Sequence, residues 1–158
     1  MIENLKFITI NHLNNQQRLA VFKLWNMEYP TTIAFENIDA LDNYLTGLEG
    51  LKHTLVHIDE KVIGWYFNFK REGSKWFAII VDSKYHGRGI GTLLLESAKL
   101  KEEVLNGWVI DSDDYQKWNK EPYLSPLHFY IKNGFKLLSN ERLETKTLSA
   151  LKIRWEKQ

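Results

Sequence analysis

The sequence predicts a mixed α/β domain of the α+β kind: a mostly antiparallel sheet of about seven strands flanked by four helices. Three observations lead there. Two hairpins in series occupy residues 53–81, the apolar periods run in the order β-α-α-β-β-β-α-β-α-β-β, and nothing shows the strict β-α alternation of a doubly wound sheet.

Residues 6–10 alternate weakly and read as a strand. Ala20, Leu24 and Met27 fall at helical spacing with Val21 and Trp25 beside them, and Pro30 follows the expected helix end. Ile38, Leu41, Leu45 and Leu48 share one face of a second helix, capped by Asn37 and ended by Gly47 or Gly50. Residues 53–58 are a β-branched run, Asp59, Glu60 and Lys61 a polar turn, and 62–69 a second apolar strand. Glu72, Gly73 and Ser74 make another turn before a third strand over 76–81. Near Ile90 a third helix starts, with Ile90, Leu94 and Ala98 in one stripe and Leu93, Leu100 and Val104 alongside. Lys99, Lys101, Glu102 and Glu103 form much of its wet side. Residues 108–111 read as a short strand, and 112–124 are polar and aromatic without a period. Ser125 caps a short helix whose first position, Pro126, gives up a donor that would be orphaned anyway. Gly134 ends that helix, and strands over 135–138 and 148–155 close the chain.

The 158 residues, 44% hydrophobic and 26% charged with 3 Pro and 9 Gly, suit one domain over 1–158 and exclude a disordered or repetitive chain. A net charge of +1 gives no bulk attraction for nucleic acid or anionic membrane. Zero cysteines remove disulfides, thiol nucleophiles and Cys-based zinc sites. There is no apolar run near the roughly 18 residues of a membrane span, and Met1 to Lys6 lack the signature of a leader. The expectation is a soluble cytoplasmic domain without nucleic-acid or membrane partners. His53 and His57, four apart on a probable strand, lack the glutamate of a zinc-protease motif and predict packing rather than a metal site. The 13% aromatic content serves either the core or the walls of a pocket.

The chemistry-bearing segment is Val81-Asp82-Ser83-Lys84-Tyr85-His86-Gly87-Arg88-Gly89-Ile90-Gly91, an apolar strand entering three glycines that open a helix. Glycines let successive N–H groups turn toward one point, and with the helix dipole they form a site for phosphate or pyrophosphate. Arg88 and His86 add side-chain donors. A turn that only lets strand and helix pack closely is the competing reading. The dinucleotide fingerprint requires glycine where Thr92 stands, and no Gly-Lys-Ser/Thr follows for a Walker loop.

This segment resembles motif A of the GCN5-related N-acetyltransferases, [QR]-x-x-G-x-[GA], with His86 at the first position. Ser125 to Phe135, containing Phe129-Tyr130-Ile131-Lys132-Asn133-Gly134-Phe135, resembles the family's motif B, and the element order is also the family's. The resemblance implies that acetyl-CoA is a co-substrate. His86, Gly87, Arg88, Gly89, Ile90, Gly91 and Thr92 would hold its pyrophosphate, and the backbone of Ile79, Ile80 and Val81 would pair with the pantetheine arm. It implies an amine acceptor attacking the thioester directly, a backbone N–H near Val81 on the oxyanion, and Tyr130 protonating the departing thiolate. A non-catalytic acyl-CoA-binding domain is the alternative, and a homodimer stays open. Asp82 and Asp111, at strand ends, are candidates for the base. Trp25, Tyr29 and Phe35 are placed near the acceptor. The position seven before Tyr130, Asn in many relatives, is Tyr123, and residues 115–123 read as a segment that reshapes the cofactor's edge, as a lid on the acceptor site, or as a surface loop.

Overall fold

Eleven helices and strands follow the expected order in the structure, a computed structural model that describes residues 4–158. Met1, Ile2 and Glu3, on which part of the leader reading rests, lie outside the described residues. The strands are β1 (Leu5–Ile10), β2 (Glu49–Ile58), β3 (Lys61–Arg71), β4 (Ser74–Val81), β5 (Val104–Val109), β6 (Lys136–Glu144) and β7 (Ser149–Glu156). The helices are α1 (Asn15–Glu28), α2 (Ile38–Thr46), α3 (Ile90–Lys101) and α4 (Leu127–Lys132). One sheet runs in the order β1-β2-β3-β4-β5-β7-β6. Every neighbouring pair is antiparallel except β4 and β5.

Local chemistry explains the boundaries. Asn14 and Gln17 form a reciprocal capping box at 2.8 Å on each side, which starts α1. Asn37 caps α2 through Ala40 N–H, and Gly47 ends it. Glu72 and Gly73, at φ +53° and +73°, make the two-residue turn between Arg71 and Ser74, where a right-twisted hairpin requires left-handed backbone.

Five sequence expectations need correction. The stripe of α1 that reaches the core is Val21, Leu24, Trp25 and Glu28, while Met27 is exposed. Trp25 sets that rotation, since its indole packs on Trp65 and its Nε1 donates to Ile33 O. On α3, Leu93 and Leu100 face outward. Lys99 turns inward instead, its Nζ donating to Asn133 O and lying over the rings of Phe135 and Trp155. Glu102 and Glu103 belong to the connection after α3, and β5 begins at Val104 rather than at 108.

Side chains alternate across the sheet. Phe77 of β4, with Ile79 and Val81 at its margin, faces α3 and α4 in a cluster with Ile90, Leu94, Val109, Tyr130 and Phe135. Trp76 and Ile80 face α1 and α2 with Trp25, Leu41, Trp65 and Phe67. Two apolar cores therefore cover opposite faces of one sheet, and the site lies where the sheet parts between them.

Candidate active site

The parting follows from strand register. Strands β4 and β5 share a single register pair, Trp76 with Asn106. Asn106 is wholly buried: its Nδ2 donates to Ser74 Oγ (2.8 Å) and Lys75 O (2.9 Å), and its Oδ1 accepts from Arg154 (3.1 Å). Gly107 follows because a Cβ there would sit 3.1 Å from the Phe77 ring. Beyond this vertex the two strands diverge toward Val81 and Val109.

Which groups of β4 face the opening can be derived. Arg71 and Ser74 flank a two-residue turn, and Asp82 N–H donates to Ile63 O, so alternate pairs starting from these are the hydrogen-bonded ones. Trp76, Ala78 and Ile80 therefore spend their N–H and C=O groups on β3. Ile79 presents both N–H and C=O to the opening, and Val81 presents its N–H. Val81 O also points there but accepts from His86 Nε2 at 2.7 Å. Of the three strand residues expected to bind through backbone, Ile79 and Val81 have groups free to do so. Ile80 contributes a buried side chain to the α1–α2 face.

At the far end of β4, Gly87 and Gly89 hold φ of +76° and +81°, and a Cβ on either would meet no atom within 4 Å. No protein acceptor among the described residues serves the N–H groups of Gly87, Gly89, Ile90, Gly91 and Thr92. Five unpaired donors thus stand at the start of α3 on the wall of open space. The side chains expected to help are directed elsewhere. The His86 ring turns back on Val81, and Arg88 lies over Tyr85 at 5.4 Å and does not reach the cavity wall.

One cavity of about 940 Å³ runs from this turn through the parted strands to the α1–α2 face. Tyr130 stands at its middle, its ring fixed by edge contacts with Phe77 (5.9 Å), Phe129 (5.0 Å) and Phe135 (5.5 Å). Its hydroxyl makes no hydrogen bond to the described residues. Burial, with Tyr123 nearby, raises this phenol well above its ordinary value, so it stays protonated throughout the physiological range.

Both expected base candidates are engaged elsewhere. Asp111 receives two 3.0 Å bonds from Arg142, which holds its carboxyl below the usual range, and Asp82 accepts from Lys84 N–H at 2.9 Å. Neither lines the cavity. Glu28, which sequence reasoning passed over, is the one carboxylate on the wall among the described residues. Its Oε2 accepts from Ser83 N–H (2.9 Å) and its Oε1 pairs with Lys117 (3.2 Å). An acid at i+7 of the stripe Val21, Leu24, Trp25 was the available signal.

Residues 115–123 form a wall rather than a detached loop. Gln116 O accepts from Thr31 N–H, Gln116 bridges to Pro122, and Tyr115 Oη accepts from Ser149 N–H. This brings Tyr123 into the cavity 6.4 Å from Tyr29. Trp25 and Tyr29 line the same chamber, while Phe35 packs behind Trp25.

A sheet parted beside a glycine-rich helix start defines a class of protein that can take an extended, phosphate-bearing ligand as an added strand. The model of the acetyltransferase (GNAT) domain matches residues 50–137, and the chain belongs to that family, whose co-substrate is acetyl-CoA. No curated protein sequence matches. Similar solved structures include an aminoglycoside 6'-N-acetyltransferase complexed with coenzyme A, at 11% identity and TM-score 0.72 over 96% of each chain. An acyl-CoA N-acyltransferase from Pseudomonas aeruginosa is 15% identical with TM-score 0.69, covering 95% of this chain and 98% of that one. The PaiA N-acetyltransferase of Thermoplasma acidophilum, in complex with coenzyme A, is 16% identical with TM-score 0.63, over 96% and 99%. At these identities the likeness is one of fold.

Proposed function

We propose that residues 1–158 form one cytoplasmic N-acetyltransferase domain that moves an acetyl group from acetyl-CoA to a primary amine by direct attack. The observation that carries this reading is the free backbone of Ile79 and Val81 at the parting, aligned with the unpaired amides after His86. The pyrophosphate sits on the N–H groups of residues 87–92, and the pantetheine runs down β4 past Val81. Two strand residues further in, roughly 7 Å, the Ile79 N–H meets the thioester oxygen and stabilises the oxyanion that forms there. His86 gives up Val81 O, or shares it, when a pantetheine amide arrives.

The acceptor enters from the α1–α2 face, where Glu28, held by Ser83 N–H and Lys117, takes the ammonium's proton directly or through water. The neutral nitrogen forms the C–N bond, the tetrahedral carbon expels sulfur, and Tyr130 supplies the proton the thiolate takes. The proton the new amide nitrogen sheds returns through water to the tyrosinate. Free phenol and thiol differ by about 1.5 pKa units, about 2 kcal/mol, and a dry cleft destabilises both anions, so the transfer stays within reach.

Calorimetric titration with acetyl-CoA, followed by thiol release across an amine panel, tests this. Binding with amine-dependent release is expected. Binding without turnover of any amine would make the chain an acyl-CoA-binding domain instead. Tyr130→Phe is expected to lower kcat roughly 100-fold with acetyl-CoA affinity within about twofold, and an equal loss in both would remove its role as acid.

A further inference from the structure

The acceptor half of the cavity is built from aromatic rings and two charges. Trp25, Tyr29, Tyr44, Phe69, Trp76 and Trp108 supply the rings, and Glu28 and Arg71 the charges. The two charges differ in status. Glu28 is already neutralised by Lys117, with both side chains largely buried. Arg71, at the end of β3, has no carboxylate within ion-pair distance among the described residues. Its guanidinium lies over the Phe69 ring (4.9 Å) and the Trp76 ring (5.4 Å), and its charge opposes the rise that burial imposes on the Tyr44 phenol. On Trp76 a second cation, Lys152, lies 5.2 Å from the ring and is held by Glu141.

A guanidinium stacked on rings presents its N–H edge outward, in the fork that matches a carboxylate. A polycationic amine would meet one compensated carboxylate and an uncompensated cation, a poor match. Distance sets the rest. Arg71 sits beside Trp76, and Ile79, where the thioester oxygen is placed above, lies three residues further along the extended strand, roughly 10 Å. An extended peptide spans that distance in about three residues.

Resting on the N-acetyltransferase reading, we infer that the acceptor is a short peptide-like monoamine with an apolar or aromatic middle and a carboxylate on Arg71. The α-amine of a tripeptide and its C-terminal carboxylate have the required separation. An α-amino acid, with its two groups on one carbon, does not.

The test compares Leu-Trp-Leu as free acid and as C-terminal amide, with spermidine as the polycation, by acetyl-CoA-dependent thiol release and mass of the product. The free acid is expected to show at least tenfold higher kcat/KM than its amide, mostly through KM, and spermidine to be the poorest of the three. Arg71→Gln should raise KM for the acid toward that of the amide, so that the acid-to-amide ratio of kcat/KM falls to about one. Acetyl-CoA affinity in the same variant reports its folding. Equal use of acid and amide by the wild-type chain, alongside acetylation of either, overturns the inference and leaves the N-acetyltransferase reading standing. Preference for spermidine overturns it likewise. Acetyl-CoA binding with no acetylated product from any amine sinks the reading, and the inference with it.

Discussion

Gly89→Ala separates the backbone requirement of the turn from its role toward a ligand. The residue holds φ +81°, and an added Cβ meets no protein atom within 4 Å, so the substitution introduces conformational strain without a clash. Left-handed backbone costs an L-residue roughly 1–2 kcal/mol, partly offset by about 0.4–1 kcal/mol from the stiffer unfolded chain. The net loss is about 1 kcal/mol, or roughly 2–4 °C in Tm for a chain of this size. Gly73 provides the control: its φ is +73°, its Cβ also meets nothing within 4 Å, and it sits in the β3–β4 turn away from the glycine loop. Gly73→Ala should cost the same stability and leave acetyl-CoA affinity unchanged. Only at Gly89 does the new methyl stand between the amides and an approaching phosphate, so affinity should fall at least tenfold, about 1.4 kcal/mol. Thermal unfolding and calorimetric titration of both variants measure the two quantities. Unchanged affinity in Gly89→Ala, or an equal loss in Gly73→Ala, would refute the placement of the ligand.

Asn106→Ala removes the bonds that close the vertex and strands Lys75 O, while Arg154 keeps its pairing with Glu156. It should destabilise the chain by about 2–3 kcal/mol, and a Tm change under about 2 °C would show that the vertex does not need it. His53 is buried and accepts from Trp65 Nε1 at 3.0 Å, and burial, with His12 adding, pushes its imidazole down to about 4. The unfolded chain therefore binds the extra proton first: stability is full above about pH 6.5, falls as pH drops toward 4, and loses on the order of 3 kcal/mol. Denaturant titrations of His53→Gln should lose most of that slope, and a slope equal to wild type would contradict the assignment. Glu28→Gln keeps the acceptor for Ser83 N–H and removes the charge, so kcat should fall at least tenfold while acetyl-CoA affinity holds. A kcat equal to wild type would move the base elsewhere.

The alternations that bury one face, the cap at Asn37 and the glycines at turns were all legible, because each is a local signal. At α4 the N-cap is Pro126 rather than Ser125, whose Oγ accepts from Leu127 N–H. So were the two segments that resemble family motifs. The parting of the sheet was not, since it depends on which strand lies beside β4 and on Asn106, a polar residue that reads as a break in a strand. The rotation of α1 was misplaced by one position because Trp25 outweighs Met27 only once Trp65 stands opposite. Arg88 and His86 read as phosphate donors from their place in the loop, yet short-range partners, the Tyr85 ring and Val81 O, claim them. Glu28 and Tyr123 reach one chamber from positions 95 residues apart, and only the bonds of 115–123 to α1, its following turn and β7 reveal that.

The most direct measurement is an amide chemical-shift map of the ¹⁵N-labelled chain titrated with coenzyme A. The largest perturbations should fall on Ile79, Val81 and the amides from Gly87 to Thr92, with Ala78 and Ile80 shifting less because their N–H groups stay bonded to β3. Saturable binding that leaves those amides unmoved, or moves the β1–β2 edge instead, would contradict the account.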